Sequence, residues 1–361
     1  MQTITILYAF RNRDAQRVKC SLQSLQQQTA QNFEVVFVDY GSEDEYAVLV
    51  KKVVDKFDFA SYHYIAHPGL LWNKSKALNY GILQAKSDTI LINDVDVILH
   101  PSALETFHKV STPKSFSLFK IGYLPQSVSL KEVATIPFDD LEPTHTGDTF
   151  GIGLFPKAAL EAVLGFDEFF HFYGSEDEDL IARLVNAGYE VHRKPEALFK
   201  HLWHPRYPQK KDKHLTVQTR LYNAQRINQR HFLNQKELKI TRAPQQPDWG
   251  NCYSPIDKKK LENPDLEVRL PNIEAVITHF LREELKSYKG KVVSILFYED
   301  AYYTSLKYKL KKRLGKQSQP YCSLKAVNDE ILKTIVFDYR HCNYAYKVAA
   351  DLKEIHFVIA M

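Results

Sequence analysis

The first hundred residues alternate between two hydrophobic periods. Residues 3–9 (TITILYA) form a short apolar, β-branched run, and residues 14–28 then place Val18, Leu22 and Leu25 on one helical face. Residues 33–38 (FEVVFV) are strand-like again and end in the turn DYGS, after which Val48, Val50, Val53, Val54 and Phe57 predict a helix over 44–57. The exchange continues with a strand over 61–66 (SYHYIA), a helix over 74–85 (KSKALNYGILQA) and a buried strand over 89–93 (TILIN). Such alternation predicts an α/β fold with a mostly parallel central sheet covered on both faces. In open sheets of this kind the ligand sits beyond the carboxyl ends of the strands. The loops after Tyr8, Val38 and Asn93 are therefore where chemistry is expected.

The pattern then loosens. Residues 111–150 are irregular and rich in Ser, Pro and Thr, which predicts a binding loop or a lid. A helix is expected after Gly174, and residues 215–237 read as one long polar helix. Residues 243–272 are proline-rich and charged, the composition of a linker. From about 273 the patterns restart, with VVSILFY and KTIVFDY as predicted strands. The expected organisation is a first domain over 1–242, a linker over 243–272 and a smaller C-terminal α/β domain over 273–361, whose role the sequence leaves open.

Composition narrows the class. A chain of 361 residues with 44% hydrophobic and 25% charged residues can bury a core without disulfide staples. Most of the 21 tyrosines and 21 phenylalanines are assigned to that core. The four cysteines form no CxxC pair and are expected as reduced thiols of a cytoplasmic protein. A net charge of +5 is too mild to argue for nucleic acid, yet suits an enzyme that handles anionic nucleotides or visits acidic membrane surfaces. The opening MQTITILYAFRNRD lacks the marks of a signal peptide, and no window reaches the ~18 apolar residues of a membrane span. The expected location is the cytoplasm, with peripheral contact at the inner face of the membrane as a possibility raised by KYKLKKRLGK (307–316). That segment is a basic, partly amphipathic helix; it either touches an anionic surface or is a solvated face.

Five features can carry chemistry. Asp94-Val95-Asp96 follows the buried strand TILIN, and alternation sends both carboxylates to one side, where two hard oxygen donors can hold Mg²⁺ or Mn²⁺. His201 and His204 are spaced to share one ion if the chain turns there, and a mixed carboxylate and imidazole shell suits Mn²⁺. Gly174-Ser175-Glu176-Asp177-Glu178-Asp179 has a structural explanation in a capping box of Ser175 with Glu178. That explanation leaves the crowding of four carboxylates unused. Crowded carboxylates raise one another's pKa, so Glu176 or Asp177 is a candidate general base. Phe10-Arg11-Asn12-Arg13 puts two guanidinium groups where phosphate and ribose would lie, and Asp39 can accept a hydrogen bond from a nucleobase or ribose.

Together these pieces resemble the GT-A glycosyltransferases, nearest the β-1,4-galactosyltransferase and chondroitin-polymerase type. FRNR, DVD, GFDEFFHFYGSEDEDLIARL and the later histidines follow one another in that order over about residues 3–210. The resemblance implies a nucleotide-diphospho-sugar transferase fold, and it assigns roles. Arg11 and Arg13 would approach uridine diphosphate, and Asp39 would read the uridine. Asp96 and His204 would be metal ligands, with His201 as a second imidazole and Asp94 in support. Asp177 would be the catalytic base, Glu176 would hold the acceptor, and Tyr173 stands where relatives often carry a tryptophan under the sugar. This chain departs from the pattern at Tyr40, where VDDGS is common, and at Ser175, which replaces a glycine.

The implied reaction is inverting, metal-dependent transfer from a UDP-sugar to the hydroxyl of a glycan or lipid-linked saccharide. Galactose, N-acetylgalactosamine or a related hexose would be moved, and polysaccharide or glycan biosynthesis is the setting. The rival enzyme is a sugar-phosphate nucleotidyltransferase, though FRNRD is not its glycine- and lysine-rich phosphate loop. A phosphatase would place DxD on the first strand. The remaining rival is a non-catalytic nucleotide- or sugar-binding module.

Overall fold

The computed structural model describes residues 3–205, 209–244, 248–316 and 318–361. The chain folds as two units. The first comprises Met1–Ala66, Trp72–Arg206 and Gln225–Cys252; the second comprises His67–Leu71, Tyr207–Ala224 and Tyr253–Met361.

The first unit begins as the periodicity predicts: β1 (Ile4–Phe10), α1 (Ala15–Gln26), β2 (Phe33–Tyr40), α2 (Asp44–Val54), β3 (Ala60–Ile65), α3 (Lys74–Gln84) and β4 (Thr89–Asn93). β1 and β4 are mostly apolar and buried along almost their whole length, because both of their faces are covered. β5 (Val97–Leu99), α4 (Ala103–Val110), β6 (Ser115–Tyr123), α5 (Leu130–Val133), β7 (His145–Pro156), α6 (Lys157–Ala162), α7 (Glu176–Asn186), β8 (Glu190–His201) and α8 (Ala224–Glu237) follow. The eight strands form one sheet in the order β3-β2-β1-β4-β7-β6-β8-β5.

The sheet is mixed. β3, β2, β1 and β4 are mutually parallel, while β7 runs antiparallel to both β4 and β6, and β5 runs antiparallel to β8. Register then sets the site. Phe10 pairs with Asp39 and Tyr8 with Asn93, so the loops carrying Arg11, Asp39 and Asp94 leave the same end of the sheet. Across the far edge Val97 pairs with His201, which returns the end of β8 to the segment that follows β4.

Two expectations change in this part of the chain. The irregular stretch 111–150 holds all of β6 and the first half of β7; Ser115 and Ser117 look like loop residues but are buried in a strand paired on both sides. The long polar helix over 215–237 begins only at Ala224. Arg220 is held by Asp212 at 3.0 Å and Gln218 at 2.8 Å, and Asn223 takes a left-handed φ of 61°. Such a backbone interrupts a right-handed helix.

The second unit carries α9 (Pro255–Lys259), β9 (Leu266–Pro271), α10 (Glu274–His279), β10 (Val292–Tyr298), α11 (Ala301–Thr304), α12 (Leu306–Arg313), α13 (Leu324–Thr334), β11 (Tyr344–Val348) and β12 (Glu354–Ala360). Its sheet has the order β11-β12-β10-β9. The proline-rich stretch 243–272 thus contains a helix and a sheet strand. KTIVFDY, expected as a strand, instead ends α13 and a following π-helical turn, Ile335–Tyr339. Leu324, Val327, Ile331, Leu332 and Ile335 are all buried, and their spacing of three and four outweighs the β-branched composition. No helix among the described residues is long and apolar enough to cross a membrane.

Candidate active site

Asp96 occupies the turn between β4 and β5, and His201 ends β8 beside it. The Leu202 amide donates to the Asp96 carbonyl at 2.8 Å, which pins the His201–His204 segment against that turn. His201 Nε2 lies 3.6 Å from Asp96 Oδ1 and His204 Nε2 lies 3.3 Å from Asp96 Oδ2. The three side chains offer one ligand atom each within 4.8 Å of one another.

The donor chemistry fits a divalent cation. His204 Nδ1 sits 2.9 Å from the Pro205 carbonyl, an acceptor of the kind that a ligating imidazole uses on its far nitrogen. Burial pushes the His201 imidazole below its ordinary pKa, against the pull of Asp96. One carboxylate oxygen and two imidazole nitrogens make a donor set for a divalent cation, and the His204–carbonyl contact is the outer support that orients such a ligand.

A second cluster lies alongside. Lys74, first residue of α3, donates to Asp94 Oδ1 at 2.9 Å and stands 4.0 Å from Glu176 Oε1. A Cβ built on Gly151 would stand 3.4 Å from Asp177 Oδ2 and 3.9 Å from Asp94 Oδ2, so bare backbone of β7 borders both carboxylates. Burial alone would raise Asp94, but Lys74 overrides it and holds the carboxyl below its ordinary range. Burial and the neighbouring Asp177 push Glu176 up to about 7, although Lys74 pulls it back. Asp177 is raised as well, by burial.

The turn before this pair is strained and clamped. Phe172 and Ser175 have φ of 67° and 70°, which non-glycine residues seldom adopt. Asn228 of α8 donates to the His171 and Tyr173 carbonyls at 2.9 and 3.1 Å. Beneath it the buried Arg183 reaches Asp179 at 2.8 Å and the carbonyls of Val163 and Gly165 at 2.9 and 2.8 Å. Asp167 accepts from Gln235 at 2.6 Å and pairs with His231 at 2.8 Å. These bonds hold a conformation that local preferences oppose. The expected capping box is not formed: the left-handed Ser175 turns its hydroxyl to Glu178 Oε2 at 3.3 Å and does not cap the helix amides. The Glu178 amide donates instead to Asp177 Oδ1 at 2.9 Å.

On the β2 side, Asp39 is fully buried; it accepts from the Ser42 amide at 2.9 Å and the Tyr62 hydroxyl at 2.7 Å. Burial raises its pKa, while these bonds and the nearby Arg11 oppose the rise. The Asn12 amide donates to Ser42 Oγ at 2.9 Å and the Asn12 side chain accepts from the Glu43 amide at 2.8 Å, tying the Arg11–Arg13 loop to the Asp39 turn. The Arg13 charge reaches Asp94 and helps to keep it ionised. The Tyr173 side chain is exposed at the mouth of the carboxylate cluster.

Residues 5–110 match the model of glycosyl transferase family 2, and residues 134–205 match that of the N-terminal domain of galactosyltransferase. The chain is a family 2-like glycosyltransferase with a GT-A fold. This settles enzyme class against the nucleotidyltransferase, phosphatase and binding-module alternatives. Among solved structures, the glycosyltransferase is similar to the mannosyltransferase PcManGT from Pyrobaculum calidifontis, in complex with GDP-Man and Mn²⁺. The identity is 18% and the TM-score 0.42, covering 72% of this chain and 69% of that one. It is also similar to S. aureus TarS 1–349 in complex with UDP, at 16% identity and TM-score 0.42, covering 79% and 74% of the two chains. No curated protein sequence matches.

Lys74, Gly151 and the clamp of Arg183 with α8 are contributors that the sequence patterns did not single out. Lys74 left one signal. A cation in the first turn of a helix opposes the helix dipole, so its place has to be explained by tertiary carboxylates.

Proposed function

We propose that this glycosyltransferase moves a hexosyl group, galactose, N-acetylgalactosamine or a close relative, from a UDP-sugar to an acceptor hydroxyl with inversion at the anomeric carbon. The acceptor is a glycan or a lipid-linked saccharide, and the setting is the building of a polysaccharide or glycan in the cytoplasm. The four unbridged cysteines suit that compartment. The observation that carries the reading is the adjacency of two clusters: Asp96, His201 and His204 with one ligand atom each within 4.8 Å of one another, and the buried Glu176–Asp177 pair linked to Asp94 through Lys74.

In this reading Asp96, His201 and His204 hold Mn²⁺ or Mg²⁺, which when bound supplies Lewis-acid neutralisation of the leaving diphosphate. Arg11 and Arg13 approach the diphosphate and Asp39 orients the uridine. Asp39 already accepts two internal bonds, so its carboxylate geometry is set before the nucleotide arrives. Glu176 orients the acceptor, and Asp177 takes the proton of its hydroxyl as that oxygen attacks the anomeric carbon from the face opposite the nucleotide. The raised pKa of Asp177 makes it a better proton acceptor than an ordinary aspartate. Tyr173 covers the sugar from the mouth.

The test is a thermal-shift titration with UDP, GDP and CMP, with and without Mn²⁺, followed by UDP release from candidate UDP-sugars. Stabilisation by UDP that requires the metal supports the donor site. Equal response to GDP or CMP overturns the uridine assignment, and metal-independent UDP release overturns the metal's role.

A further inference from the structure

Helix α12 turns its apolar residues towards water. At 100° per residue Leu306, Leu310 and the C-cap Leu314 fall in one stripe, and they are 85%, 59% and 59% exposed. The inward face is Tyr308, 4% exposed, whose ring lies 5.7 Å from Tyr302, 5.7 Å from Tyr303 and 5.2 Å from Tyr321. Ser305 caps the helix by accepting from the Tyr308 amide at 3.1 Å. The tyrosine cluster therefore fixes the rotation of the helix, and that rotation puts the leucines on the outside.

Charge frames the stripe. On the same helical wheel Lys307 and Lys311 fall on one side of the leucines, and Lys309 and Arg313 on the other. No acidic residue occurs between Asp300 and Asp329. A merely solvated helix face would be polar along its outermost line, whereas here that line is leucine and the cations flank it. A second copy of this helix would bring the same cations with no acidic partner, so self-association through the ridge is repulsive. A polyanion alone would leave the leucines in water.

We propose that the α12 ridge docks on an anionic lipid surface, the leucines entering the boundary between headgroups and acyl chains while the flanking lysines and arginine meet lipid phosphates. The inference stands on α12 and its tyrosine cluster, independently of the transferase assignment. It makes the protein a peripheral membrane protein through a side-chain ridge in the second unit.

The test is vesicle flotation of the full chain with phosphatidylcholine alone and with phosphatidylcholine containing phosphatidylglycerol, at about 0.1 M salt. The wild-type protein is expected to float only with the anionic vesicles, and added salt should reverse this. The double variant Leu306→Ser/Leu310→Ser should keep its melting temperature and partition roughly tenfold less. The pair Lys307→Gln/Arg313→Gln, one cation from each side of the stripe, should show a similar loss, roughly tenfold. Absence of wild-type flotation with anionic vesicles overturns the proposal. So does leucine-variant partition equal to wild type, which would show that the ridge does not enter the lipid.

Discussion

Glu176 ionises with difficulty, and glutamine in its place turns that difficulty into a measurable pH dependence. Burial and the adjacent Asp177 carry its pKa from an ordinary 4.5 to about 7 in the folded protein. Between those values the folded state binds more protons than the unfolded state, so this group's contribution to stability falls as pH rises through the window. At about 1.4 kcal/mol per pH unit the ionised side chain costs about 3 kcal/mol above the upper value, and nothing below the lower one. The attraction of Lys74 is already contained in the raised value. Glu176→Gln keeps the shape and removes the ionisation. Urea unfolding in EDTA at about pH 5 and about pH 8 should show the variant gaining about 2–3 kcal/mol on the wild type between the two conditions. A difference between the proteins that stays constant across that range would refute the reasoning, because the carboxyl would then titrate as an exposed one.

Asp177→Asn should retain UDP-sugar binding by calorimetry and lose transfer by about 10²–10⁴-fold; transfer at the wild-type rate would remove Asp177 from the base role. His204→Ala takes one donor from the Asp96 cluster and should weaken Mn²⁺ binding by roughly 100-fold, read as the metal concentration at which UDP begins to stabilise the fold. Arg183→Met leaves Asp179 buried without its partner and should cost about 3–5 kcal/mol in urea unfolding. A loss under about 1 kcal/mol would mean that the Arg183 clamp is not what supports the turn before Glu176.

The parts that the chain alone determined are those in which local period and composition agree. The runs ITILYAF and FEVVFVDY and the apolar stripes between them predicted the parallel β1–β4 half, because a strand covered on both faces is apolar along most of its length. The order of FRNR, DVD and GFDEFFHFYGSEDEDLIARL likewise pointed to the enzyme class that the family matches show. Where one local signal competed with another, the long-range partner decided. Ser115 and Ser117 belong to a strand because β7 and β8 pair with it, and KTIVFDY is helical because its buried residues recur every three or four positions. Ser175 does not cap its helix because the chain enters it left-handed, held there by Asn228 more than fifty residues away. The bringing together of His201 with Asp96 is set by the antiparallel pairing of β5 with β8, and that of Lys74 with Asp94 and Glu176 by packing. Side-chain type and spacing announce that carboxylates and imidazoles are present; which of them share a few ångströms, and hence which are desolvated, neutral or charged, depends on strand register that no local stretch of the sequence contains.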